Sequence, residues 1–135
     1  MPGSFIDSNV LLYVASNDET KAAKAEEIIA SGGAISVQVL NELASVARRK
    51  MQMSWTDTHA FLDAVRSLLA VRPLTVQIHE AGLAVAERYG LSIYHAMIVA
   101  AALDAGSDTL WSEDMHDGLI VHDGLRVVNP FRVAG

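Results

Sequence analysis

Apolar positions along the chain follow two alternating rhythms, short runs and helical stripes. Ser4-Phe5-Ile6-Asp7 is a short run that closes on an acid and reads as a first strand over 4–7. Residues 8–15 follow with helix-compatible composition, and Ser8 or Asn9 is placed to cap them. Asn17-Asp18 breaks that helix. Residues 20–30 are rich in Ala, Lys and Glu, which predicts a second helix, stopped by Ser31-Gly32-Gly33. Ala34-Ile35-Ser36 is a second strand. From Val37 to Met51, the residues Val39, Leu40, Leu43, Val46 and Ala47 recur at helical spacing. Ser54 opens another helix over 55–70, carrying Phe61, Leu62, Val65, Leu68 and Leu69.

Arg72-Pro73 forces extended backbone, so Leu74-Thr75-Val76 is expected as a third strand. A helix over 77–89 is closed by Gly90. Ser92 or Ile93 opens the next, Tyr94 to Ala105, closed by Gly106. Thr109-Leu110-Trp111 is a strand, and the polar loop 112–118 follows it directly. Residues 125–128 give a last short strand before Asn129-Pro130 ends regular structure. Strands that alternate with helices predict an α/β fold, a short parallel sheet flanked by helices. A length of 135 residues fits one domain, 1–135.

Composition narrows the chemistry. Cysteine is absent, which removes disulfides and thiolate catalysis. No apolar run approaches the roughly 20 residues of a membrane span. Residues 1–15 lack a basic leader region, so the expected location is cytoplasmic, away from membranes. The net charge of −6 argues against a broad basic surface for nucleic acid. A nuclease stays open, because a metal site concentrates acids.

Four acids then stand out. Asp7 and Asp114 each follow a predicted strand, and parallel strands would bring both to one sheet edge. Glu42 lies about two turns into the helix after the second strand, within reach of that edge. Asp117 lies three residues beyond Asp114. Convergent carboxylates repel, and a hard divalent cation is the usual relief. The three aspartates also have a plainer use. Asp7 and Asp114 suit caps or turns, and Asp117 before Gly118 suits a turn.

Taken together, these residues carry a resemblance. Phe5-Ile6-Asp7-Ser8-Asn9-Val10-Leu11 looks like the opening of PIN-domain proteins. Ser36 to Glu42, Tyr94 to Ala102 and Leu110 to Gly118 resemble the family's three later motifs, in order and at fitting spacing. The likeness runs from about residue 4 to 131 and is nearest the small bacterial VapC-type toxins of toxin–antitoxin pairs. It implies a single PIN-like domain and an endoribonuclease dependent on Mg2+ or Mn2+. An RNA substrate, a homodimer and a cognate antitoxin are implied with it. The resemblance makes Asp7, Glu42 and Asp114 site acids and metal ligands, Asp117 an auxiliary acid, and Asn9 and Ser112 supports.

One position departs from that pattern. His95 stands where the family carries an aspartate. The site thereby loses a negative charge and a hard oxygen donor. Imidazole suits manganese, zinc or nickel better than magnesium. Three outcomes are open: weakened catalysis, a shifted metal preference with His95 as a ligand, or compensation by another acid. The chief alternative is a PIN-fold binding module that engages antitoxin or RNA without cutting. Phosphoryl-transfer receivers and haloacid-dehalogenase-like hydrolases rely on a late lysine. Here the lysines are Lys21, Lys24 and Lys50, which counts against both.

Weaker signals complete the reading. Arg48-Arg49-Lys50 is expected to complement a helix C-terminus, with a phosphate-contacting patch as the second option. His59, His79, His116 and His122 are expected at the surface. The 55–70 helix is expected to serve the core, with some share in an interface.

Overall fold

A computed structural model describes residues 3–122 and 124–132. The elements in chain order are β1 (Ser4–Ile6), α1 (Ser8–Leu12) running into a 3-10 turn (Tyr13–Ala15), and α2 (Glu19–Ala30). Next come β2 (Ala34–Ser36), α3 (Val37–Arg49), α4 (Trp55–Leu68), β3 (Ala70–Arg72) and α5 (Val76–Tyr89). The chain closes with α6 (Ile93–Asp104), β4 (Thr109–Trp111), β5 (Ile120–Val121) and β6 (Leu125–Val128).

The sheet order is β3-β2-β1-β4-β6-β5. The first five strands in that order are parallel, and β5 alone runs antiparallel, against β6. The chain winds outward from β1 through β2 to β3, then returns to place β4 on the other side of β1. The reversal makes the carboxyl ends of β1 and β4 a topological switch point, where α/β sheets open a crevice. The Asp7 N–H donates to the Trp111 carbonyl at 2.9 Å, so both strands end level.

Three expectations need correction. The third strand is Ala70–Arg72, not 74–76. Ile35 and Val71 pair in register, while Pro73 offers no N–H and Thr75 is committed to capping α5. The helix expected over 55–70 therefore stops at Leu68. Neither Ser8 nor Asn9 caps α1; that position belongs to Asp7, and Ser8 is already helical.

The short sheet sits within a dense apolar core. Phe5, Ile6, Ile35, Leu110 and Val127 are fully buried on the strands. In α6, Ala96 through Ala102 are all buried, and a helix apolar on every side belongs inside the protein. Helix α5 lies tight against it. A Cβ added at Gly82 would sit 2.7 Å from the Met97 sulfur and 3.3 Å from its Cα, so the close approach requires glycine. Among the described residues, no helix is long and apolar enough to cross a membrane.

Candidate active site

Helix caps separate Asp7 from the other residues that start helices. Asp18, Ser36, Ser54, Thr75 and Ser92 each accept a hydrogen bond from the N–H three residues on. Asp7 does not. Its Oδ1 accepts only from the adjacent Ser8 N–H at 2.7 Å. Its Oδ2 is held by the Ser112 hydroxyl at 2.8 Å and the Asn9 amide at 3.1 Å. The carboxylate is thus turned toward the end of β4 rather than over its own helix.

Glu42 reaches the same place from α3. Its Oε1 accepts from the Ser8 hydroxyl at 2.7 Å, and its Oε2 from the Gln38 amide at 3.0 Å. Ser8 Oγ also lies 3.4 Å from Asp7 Oδ1. A hydroxyl has one proton, so the shorter contact takes it. Ser8 therefore stands between two carboxylates and satisfies one of them. Among the described residues, neither Asp7 nor Glu42 has a lysine or arginine partner. Asp7 is fully buried, and burial is the main force raising its pKa. The Ser112 hydrogen bond and the charge of His95 lower it, Glu42 raises it again and the Ser8 N–H lowers it, with a net rise.

Above this pair opens a cleft of about 420 Å³, lined among others by Ser8, Asn9, Glu42, Lys50, His95 and Asp114. Helix α3 forms one wall and the first turn of α6 the other. The structure brings Asp7, Glu42, His95 and Asp114 to this cleft, with Asp7 beneath its floor. Asn9 and Ser112 act together. Asn9 Oδ1 accepts from the Glu113 N–H at 2.9 Å, and its amide lies 3.4 Å from Ser112 Oγ. Asn9 thereby ties α1 to the loop after β4.

Asp117 departs from the expectation of an auxiliary site acid. It does not line the cleft. Its Oδ1 accepts from the Asn129 N–H at 2.7 Å and its Oδ2 from Arg132 at 3.0 Å. These contacts hold its carboxyl below the usual range, the Asn129 N–H most of all. Both lone-pair faces are engaged in closing the loop onto the end of β6.

Sequence reasoning missed two groups. Ser8 and Gln38 were not seen as partners of Glu42, although Gln38 stands four residues before it, one helical turn away. Nor did any local signal mark the cluster behind the loop. There Lys21 donates to Glu113 at 2.6 Å and to the Tyr13 hydroxyl at 3.1 Å, and Tyr13 donates to Glu113. Those partners lie far apart in sequence.

Among the described residues, no three His, Asp or Glu side chains gather closely enough to enclose a metal. Magnesium does not require that. It keeps several waters and is commonly held by one or two carboxylates with substrate phosphate. Asp7 and Glu42, joined through Ser8 and, among the described residues, without a lysine or arginine partner, would supply such a site with oxygen donors, Glu42 from the cleft wall and the buried Asp7 from beneath it. They do not fit a closed protein cage.

The sequence matches the PIN domain family over residues 4–117. The chain belongs to the PIN domain family, a nuclease-type family whose members generally use divalent metal ions. Its fold is that of VapC-type toxins. A toxin–antitoxin complex from Klebsiella pneumoniae superposes with a TM-score of 0.73 at 20% identity, over 96% of this chain and 99% of that one. VapC20 of Mycobacterium tuberculosis, a sarcin–ricin loop cleaving toxin, gives 0.64 at 16%, over 82% and 89%. DNA-bound VapBC from Salmonella typhimurium gives 0.62 at 19%, over 94% and 97%. No curated protein matches the sequence.

Proposed function

We propose that this single PIN-like domain is a cytoplasmic, metal-dependent endoribonuclease toxin of a type II toxin–antitoxin pair, attenuated by His95. The observation that carries the reading is the pair of carboxylates, Asp7 and Glu42, that meet at Ser8 and, among the described residues, have no lysine or arginine partner. A buried carboxylate beside a second one is costly unless a cation meets it. Asp7 and Glu42 would be the principal holders of Mg2+ or Mn2+, with Asp114 and His95 at the cleft. A bound divalent cation supplies water activation and neutralises charge on a phosphodiester. The chain's own residues supply position: Ser112 and Asn9 fix Asp7, and Gln38 fixes Glu42. Two of the similar folds come from toxin–antitoxin complexes, which supports a cognate antitoxin; a homodimer belongs to the same proposal.

His95 is half-buried and faces Asp7 closely enough to influence its charge. An imidazole there replaces a hard donor with a softer one, which favours manganese over magnesium. The test is RNA cleavage by this chain and by His95→Asp, side by side in each cation. In magnesium, His95→Asp is expected to cut at least about tenfold faster. Equal rates for both proteins, in both cations, would sink the attenuation. No cleavage by either, with an antitoxin still bound, would move the reading to a PIN-fold binding module.

A further inference from the structure

The acidic floor of the cleft poses a problem for the substrate this reading gives it. An RNA strand carries phosphates, and the chain has a net charge of −6. Something other than a broad basic surface must hold the strand. Two residues on the cleft walls have the chemistry. Tyr94 is 65% exposed, although it lines the cleft and stands next to His95. Every residue of α6 from Ala96 to Ala102 is buried, so on the cleft side only the first turn of the helix leaves the interior. Among the described residues, the Tyr94 hydroxyl makes no hydrogen bond. The ring therefore presents an unoccupied aromatic face at the rim.

On the other wall, Glu42, Ser45, Val46 and Lys50 recur at the three-to-four spacing of one helix stripe and all line the cleft. From Glu42 to Lys50 that stripe climbs about 12 Å, from acid to base. Arg48, in the same basic run, is used differently. Arg48 stacks 4.1 Å from the Trp55 ring centroid and donates to the Met53 carbonyl. Lys50 is exposed and, among the described residues, has no carboxylate partner.

We propose that Tyr94 and Lys50 grip unpaired RNA across the cleft, a base stacking on Tyr94 and a backbone phosphate meeting Lys50. The proposal rests on the ribonuclease reading and adds the means of holding the strand. Stacking carries no net charge, so it works on an acidic protein where a row of lysines is missing. It also requires a base that is free of its own stack, which selects single strands and loops over duplex.

The test uses binding rather than cleavage. Fluorescence anisotropy would follow a short, unstructured, fluorescein-labelled oligoribonucleotide in calcium, across a salt series. Tyr94→Ala is expected to weaken binding roughly tenfold, and Tyr94→Phe to restore it. Lys50→Gln is expected to weaken binding and to flatten the log–log salt slope by about 0.7, one phosphate contact on a single strand. Tyr94→Ala should leave that slope unchanged. Annealing the oligonucleotide to its complement should remove the difference between wild type and Tyr94→Ala. Both side chains are exposed, so the melting temperature of each variant should match wild type. Wild-type binding with Tyr94→Ala indistinguishable from it would overturn this proposal alone. The same holds if Tyr94→Ala changes only the oligomeric state, which would make Tyr94 a subunit contact. No binding by the wild type under any condition would overturn the RNA reading as well.

Discussion

Glu113 and Asp114 are neighbours in one loop and face two differently built regions. Glu113 turns back to a cluster in which its charge is balanced. Lys21 donates to it at 2.6 Å, Tyr13 adds a second bond, and Lys21 lies 4.6 Å above the Tyr13 ring. Burial raises the pKa of Glu113, but the Lys21 and Tyr13 bonds outweigh it and the net direction is down. Hydrogen bonds to Glu113 and to the Tyr13 hydroxyl raise the pKa of Lys21. Asp114 turns forward into the cleft, where Asp7 and Glu42 are held by hydroxyls and amides and, among the described residues, no lysine or arginine pairs with them. The rear of the loop is electrostatically complete; the front is not. A loop that balances the charge of one residue and leaves the next without a cationic partner marks its front as the candidate functional side.

The first way to break this contrast is at Asp7. Asp7→Asn keeps the shape and removes the charge that the open side is built around. Outer partners of metal sites commonly account for 10–100-fold, so loss of a principal ligand should lower RNA cleavage by more than about 100-fold. Cleavage by Asp7→Asn at the rate of its parent would end the case for the pair. Ser112→Ala comes next. It deletes the hydroxyl that aims Asp7 Oδ2 while leaving every carboxylate in place. The expected loss is about 10–100-fold, and a higher cation concentration should recover part of it. A loss that no cation concentration touches would mean that Ser112 serves the fold rather than the site. Cleavage kinetics against magnesium separate the two.

How much of this contrast the sequence carries depends on distance along the chain. The strand ends at Asp7 and Asp114 are legible because strand, acid and helix follow one another locally. Glu42 is legible because a charge interrupts an otherwise apolar helix stripe. The third strand is misplaced because Val71 continues the periodicity of α4, while Leu74 and Val76 imitate a strand around Pro73. The two-residue β5 is too short to leave a pattern. The capping role expected of Ser8 falls to Asp7 because strand and helix meet without a spacer. The cluster of Tyr13, Lys21 and Glu113 is invisible, since it joins residues about a hundred apart through tertiary contact alone. Asp117 carried two readings, and the turn beside Gly118 is the one its hydrogen bonds match.

A smaller effect sharpens the comparison through stability against pH. Asp7 and Asp117 share an ordinary value of 3.8 and move in opposite directions. Burial raises Asp7, so the folded protein holds that proton more tightly than the unfolded chain does. Its contribution is fully present below the unfolded value and is lost as pH rises through the higher folded value. The Asn129 N–H and Arg132 lower Asp117. Its contribution is present above 3.8 and is lost as pH falls through the lower folded value. The two windows therefore meet near 3.8 and slope oppositely. Urea unfolding of wild type, Asp7→Asn and Asp117→Asn, from about pH 3 to pH 7, reads both. Relative to wild type, Asp7→Asn should gain stability as pH rises above that meeting point. Asp117→Asn should lose ground as pH rises toward it and then hold level. Parallel trends for the two variants would mean that the front of the loop is no less balanced than the rear.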